Sequence, residues 1–205
     1  MAVTVAIIGA GPLGRWLALS AARAGFSVLL EDVMPANLHH AQEFIRQKAG
    51  PLRQAQGRLS TAVAAATAAQ DDSIGGVAFV STIEEAVRNA DLVIDCVPDE
   101  LESKLEILWL LDRMAPPRTV LATPTTRLSI ADLAHCTYRP TKCIAIAAEA
   151  NALTGNPQSA SASREIQLRT TSQTAPETVA LLDHFWRQLG FTTVFALDTA
   201  DQPSK

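Results

Sequence analysis

The feature that most constrains this chain stands at its start. A β-branched run from Val3 to Ile8 meets Gly9 and continues as Ala-Gly-Pro-Leu-Gly, which puts Gly9, Gly11 and Gly14 at G-x-G-x-x-G spacing. An apolar run that stops at glycine reads as a buried parallel strand. Pro12 suits the first turn of a helix that keeps Leu13, Leu17 and Ala21 on one face. A strand, a tight turn and a helix in that order predict a crossover that returns the chain to a second parallel strand.

The rest of the chain repeats the alternation. Strands are predicted over 26–32, 76–81, 90–98, 118–123, 142–148, 164–170 and 191–197. Helices are predicted over 12–24, 36–50, 52–70, 81–89, 99–114, 129–134 and 176–189. Thr82 caps the fourth of these, with Glu84 and Glu85 in its first turn, and Ser129 caps the sixth. The helices on either side of Gly50-Pro51 form a hairpin, and residues 151–163 are small, polar and loop-like. The expected fold class is therefore α/β, a doubly wound, mostly parallel sheet with a helical hairpin inserted after the second strand. Residues 1–198 form one domain and 199–205 a polar tail. Such sheets bind ligands at the carboxyl ends of their strands. That rim collects residues 9–14, Asp32, residues 97–99, residues 123–126 and Ala147.

Composition narrows the partners. A net charge of −4 argues against a nucleic-acid or anionic-membrane surface. No apolar run approaches the ~20 residues that span a bilayer. The apolar N-terminus runs straight into the glycine turn and has no basic leader, so it reads as a strand and not a signal peptide. Cys96, Cys136 and Cys143 sit in or beside apolar segments, which predicts free, buried thiols and a reducing, cytoplasmic setting. No metal site is expected.

Three contexts agree on a dinucleotide site. A strand precedes the glycines, a helix starts inside them, and an acid ends the second strand. Gly9 permits the turn, Gly11 lets backbone approach a pyrophosphate, and Gly14 allows close helix–strand packing. Pro12 and Leu13 open the helix whose free N–H groups face the phosphates. Asp32, 18 residues beyond Gly14, stands where an acid holds ribose hydroxyls. Glu31 should point to the other face of the strand. No Arg or Lys follows closely to hold a 2′-phosphate, so the cofactor expected is NAD(H) and not NADP(H).

With these residues in place, the chain resembles the N-terminal, NAD-binding domain of the 3-hydroxyacyl-CoA dehydrogenases. VAIIGAGPLGRWLALSAARAGFSVLLED is similar to the family's first βαβ unit. STIEEAVRNADLVIDCVPDELESKLEILWLLDRMAPPRTVLATPTTRLSIADLA follows its middle section almost without gaps. The resemblance implies a Rossmann-type fold, hydride transfer between NAD and a 3-hydroxyacyl-CoA, and further site residues. Val97 and Asp99 would lie near the nicotinamide, Lys104 would contact the cofactor, and Thr126 would replace a serine that bonds substrate and cofactor. Pro124 stands where the family has Asn, and Arg127 where a second Ser is common.

In that family a histidine takes the hydroxyl proton and a glutamate orients it, a form of catalysis worth ~10²–10⁴ in rate. Read without gaps, the histidine position holds Ala147; read from Asn156-Pro157, it holds Leu153. The glutamate falls at Glu165 by one register and Gln167 by the other. His39, His40, His135 and His184 read as surface or packing residues, and Glu149 is the best alternative base. Arg46, Lys48, Arg53 and Arg58 on the hairpin read as solvated charges before CoA phosphate ligands. The family's helical C-terminal domain has no counterpart before Lys205, so a homo-oligomer or a separate partner subunit is expected to complete any acyl-CoA cleft. Three functions compete: a small NAD-dependent oxidoreductase, a non-catalytic NAD(H)-binding sensor or accessory subunit, and a structural protein that keeps only the fold.

Overall fold

The opening β-branched residues form β1 (Thr4–Ile8), buried along its whole length. Strands buried on both faces need no alternation of polar and apolar residues, which is why TVAII reads as one continuous run. The structure, a computed structural model, describes residues 3–49, 73–148 and 164–198. From β1 the chain turns into α1 (Pro12–Arg23) and returns as β2 (Ser27–Glu31). Next come α2 (Pro35–Ala49), β3 (Val77–Val80), α3 (Ile83–Val87) and β4 (Leu92–Asp95). Then follow α4 (Leu101–Met114), β5 (Val120–Pro124), α5 (Ile130–His135) and β6 (Cys143–Ile146). The last elements are β7 (Glu165–Thr170), α6 (Pro176–Gln188) and β8 (Thr192–Leu197).

The strands form one sheet in the order β3-β2-β1-β4-β5-β6-β7-β8. Every neighbouring pair is parallel except β6 and β7. The order reverses between β1 and β4. A crevice opens at that switch point, above the carboxyl ends of the strands. This is the doubly wound α/β fold that the alternation predicts.

Alternate residues of each strand feed two cores. Val5 and Ile7 of β1 and Val28 and Leu30 of β2 pack with Leu17 of α1, Ile45 of α2 and Phe185 of α6. Ala6, Ile8 and Leu29 pack with Val87, Leu108 and Leu133 on the opposite face. An aromatic cluster holds α6 down. The Trp186 and Phe191 rings meet edge to face at 5.2 Å, and Phe191 meets Trp16 at 6.3 Å. His184 belongs to this packing, edge-on to Phe26.

The sequence-based boundaries hold to within a few residues; β4 fills only 92–95 of the predicted 90–98, and α3 only 83–87 of the predicted 81–89. This helix is one turn and a half, from the Thr82 cap, whose hydroxyl accepts from Glu85 N–H, to Val87. The second hairpin helix (52–70), the loop over 151–163 and the tail (199–205) lie outside the described residues. The thiols also differ from expectation. Cys143 is buried and Cys96 half-buried, but Cys136 is exposed just past the end of α5.

Candidate functional site

Gly9 leaves β1 at φ +102°, a left-handed conformation that costs glycine nothing because it has no Cβ. Its N–H donates to the Glu31 carbonyl at 2.8 Å, which ties the turn to the end of β2. The chain then enters α1, whose N-cap is Gly11, without a capping side chain and without an acid in the first turn. First-turn N–H groups and the positive end of the helix dipole are therefore left for an anion. A Cβ on Gly11 would meet nothing within 4 Å, so the bare backbone there borders open space. Gly14 is the reverse case. A Cβ there would drive into the Gly9 carbonyl oxygen, well inside the 3.0 Å that real Cβ atoms essentially never breach.

Above this turn lies a cavity of about 780 Å³. It runs from the end of β2, at Glu31, Asp32 and Asn37, past Gly9, Gly11, Pro12 and Leu13, to the end of β5 at Pro124, Thr125, Thr126 and Arg127. Ile83, Val97 and Ile107 give it an apolar wall on the face of the sheet that carries Leu29. Its shape fits an extended molecule with an anionic middle: bare backbone and a helix N-terminus in the centre, polar groups at both ends.

Asp32 lines the cavity, but its carboxylate is already occupied from the protein side. It accepts from Ala10 N–H at 2.8 Å, from Met34 N–H at 2.8 Å, and from the Asn37 amide at 3.1 and 3.2 Å. Its first task is thus to brace the glycine turn, a role the ribose-acceptor expectation did not include. Glu31 does point to the other face, as strand alternation requires. The cavity nevertheless wraps around the strand end and reaches it. Glu31 is 3% exposed. Burial first, then the Asp32 carboxylate, push its carboxyl up to about 7. Sequence reasoning passed over this residue; the signal was an acid where a buried strand calls for an apolar side chain.

Lys104 does not reach the cavity. It is completely buried on α4, and its Nζ donates to Asp95 Oδ1 at 2.5 Å. The expectation of a cofactor contact is corrected on this point. A carboxylate buried at the end of β4 demands a counter-ion, and Lys104 is the one within reach. Burial pushes the Asp95 carboxyl up, and Lys104 opposes it.

At the β5 end, Asp99 organises the loop that follows the strand. Thr126 N–H donates to Asp99 Oδ2 at 3.2 Å, and Arg127 Nη2 donates to the Asp99 carbonyl at 2.5 Å. Thr125 Oγ1 accepts from the N–H groups of Arg127 and Leu128. Two residues that sequence reasoning missed lock this loop. Arg169 Nη2 donates to the carbonyls of Thr125 and Leu128, at 2.9 and 3.0 Å. Asp198 accepts from Ser129 Oγ and Ala131 N–H, both at 3.0 Å. Both come from strands remote in sequence, so no local pattern marks them.

The acid–base residues stand apart from this end. Ala147 N–H donates to the Gln167 carbonyl at 2.9 Å, so the strand ladder sets Gln167, not Glu165, beside Ala147. Glu165 is exposed on β7 and does not line the cavity. None of His39, His40, His135 or His184 lines it either. Glu149 and Leu153 lie outside the described residues, as do Arg53 and Arg58. Among the described residues no cluster could hold a metal ion, and no helix is long and apolar enough to cross a membrane.

Comparison with known proteins agrees with this geometry. Residues 4–199 match the family described as 3-hydroxyacyl-CoA dehydrogenase, NAD binding domain. A probable 3-hydroxybutyryl-CoA dehydrogenase of Bacillus subtilis is 31% identical over 140 residues, 68% of this chain and 46% of that protein. A 5-formyl-3-hydroxy-2-methylpyridine 4-carboxylate 5-dehydrogenase of Mesorhizobium japonicum is 30% identical over 191 residues, 93% of this chain and 56% of that protein. The crystal structure of 3-hydroxybutyryl-CoA dehydrogenase from Escherichia coli K12 superposes with a TM-score of 0.74 at 27% identity, covering 98% of this chain and 39% of that one. The chain spans about half the length of the curated relatives it matches.

Proposed function

Because the chain belongs to the 3-hydroxyacyl-CoA dehydrogenase family through its NAD-binding domain, we propose that it holds NAD(H) in the cavity above the glycine turn, as the cofactor half of an oxidoreductase acting on a 3-hydroxyacyl-CoA or another small 3-hydroxy substrate. The observation that carries this reading is the centre of the cavity. There, bare Gly11 backbone and the acid-free N-terminus of α1 face open space. These residues fit a pyrophosphate. When bound, NAD supplies the hydride acceptor.

The chain's own residues divide the remaining work. Gly9, Gly11, Pro12, Leu13 and Gly14 form the phosphate seat, and Asp32 keeps that seat in shape through Ala10 N–H. Val97 and Asp99 flank the passage toward the β5 end, where the Thr126 hydroxyl is available to orient a substrate oxygen. Lys104 supports this floor from beneath by neutralising Asp95.

Proton removal is the step for which no histidine among the described residues lines the cavity. Ala147 and Gln167 stand together where an imidazole and a carboxylate would have to meet. That pairing favours a second reading, a non-catalytic NAD(H)-binding sensor or accessory subunit. Purified chain, NADH and acetoacetyl-CoA separate the two, with absorbance reporting NADH oxidation and Trp fluorescence reporting binding. Turnover that is lost in Thr126→Ala supports the oxidoreductase. Binding without turnover supports the second reading. No binding refutes both.

A further inference from the structure

Glu31 is a carboxylic acid at the cavity wall that the reading above leaves unused. It lies at the carboxyl end of β2, 3% exposed, beside the apolar wall of Ile83, Val97 and Ile107. None of the described hydrogen bonds reaches its carboxyl, whereas Asp32 next to it is fully engaged. The carboxyl is not sealed off from the cavity it lines, so a ligand there can meet it.

The groups around it favour its protonated form. On β1 and β3 its register partners are Ile8 and Val80, which carry no charge. On α3, Glu84 faces Arg88. Asp32, the next residue along the chain, is the neighbour that acts on it, and its carboxylate repels a second negative charge. From the far end of the cavity Asp99 and Arg127 offset each other. A ligand carrying a pyrophosphate would add negative charge and remove the last water, both of which favour the protonated acid.

The acid that ends the second strand of such a fold marks the adenosine half of a dinucleotide. An apolar slot suits the faces of a purine. We propose that Glu31, as a neutral carboxylic acid, reads the edge of the adenine ring, donating its O–H to a ring nitrogen and accepting from the 6-amino group. This rests on the NAD(H) reading and adds a base-recognition and pH-sensing residue to it. Only the protonated form is competent, so binding takes up a proton whenever the free carboxyl is ionised.

The test is NADH affinity of the full chain, by Trp fluorescence or calorimetry, at constant ionic strength. The free carboxyl titrates near 7, so the dissociation constant should weaken roughly thirtyfold between about pH 6 and about pH 8.5 as the competent fraction falls. Glu31→Gln presents a donor and an acceptor that do not titrate, so its affinity should stay flat and close to the wild-type value at the acid end. Glu31→Leu should bind weakly throughout. Calorimetry of the unaltered protein in two buffers of different ionisation enthalpy should show nearly one proton taken up per NADH at about pH 8. Affinity that is flat or rises with pH, absent proton uptake, or a Gln variant that binds worse than wild type at the acid end would overturn the proposal, since an ionised Glu31 accepting from ribose hydroxyls gives those results. Wild-type protein that binds no NADH at any pH would instead overturn the cofactor reading on which the proposal rests.

Discussion

The two glycines of the turn make opposite predictions. In Gly14→Ala, the new methyl would overlap the Gly9 carbonyl oxygen and press on Ile7 Cγ2 at 3.4 Å. Neither obstacle is the flexible end of a long side chain. Relief requires α1 to slide off the turn by on the order of 1 Å, and overpacking of this kind costs about 1–3 kcal/mol. At about 2–4 °C per kcal/mol for a chain of this size, the melting temperature should fall by roughly 3–10 °C. In Gly11→Ala, the methyl meets nothing within 4 Å, and the residue's φ of −63° suits any amino acid. Stability should change by less than about 0.5 kcal/mol. The methyl does, however, occupy the space assigned to the pyrophosphate, and NADH affinity should fall at least tenfold. Thermal melts and NADH titrations of both variants give the four numbers. A Gly14→Ala protein that melts with wild type would refute the packing argument, and a Gly11→Ala protein that binds NADH normally would refute the placement of the phosphates.

Other expectations follow from the same contacts. Asp32→Ala removes the acceptor of Ala10, Met34 and Asn37, so NADH binding should weaken at least tenfold; unchanged affinity in a titration would remove Asp32 from the site. Lys104→Met strands a buried carboxylate and should cost about 3–5 kcal/mol in urea unfolding, while adding Asp95→Leu should restore most of it. If the single variant is as stable as wild type, the ion pair does not hold the floor. Cys136 is exposed, whereas burial holds the Cys96 thiol well above its usual range and raises Cys143 to about 11. Ellman's reagent at about pH 8 should therefore titrate Cys136 quickly and Cys143 only after unfolding. The Glu31 carboxyl is raised in the fold, so the folded state holds its proton from about 4.5 up to about 7 and loses relative stability as pH rises through that window. In thermal melts without ligand, Glu31→Gln should match wild type at the acid end and gain on it as pH rises.

Much of this protein was legible because its signals are local. Continuous apolar runs mark strands buried on both faces, and the spacing of three glycines fixes the first turn, since each satisfies a constraint set within a few residues of itself. The NAD cofactor followed from that same stretch and Asp32, and the family resemblance from it together with residues 81–134. Other features were decided by chain segments far apart. Lys104 is expected at the cofactor until α4 packs over Asp95, when burial turns it into a counter-ion. Asp32 reads as a ligand acceptor until the turn folds back and Ala10 N–H claims it. Arg169 and Asp198 reach the segment after β5 only because β7 lies beside β6, with Arg169 opposite Ala145, and β8 lies beside β7, with Asp198 N–H on the Thr170 carbonyl. The sequence alone thus determined the strands, the glycine turn and the kind of ligand. Which carboxylates remain free to meet that ligand was settled by tertiary packing, because a carboxylate's charge state and partners depend on what the fold buries beside it.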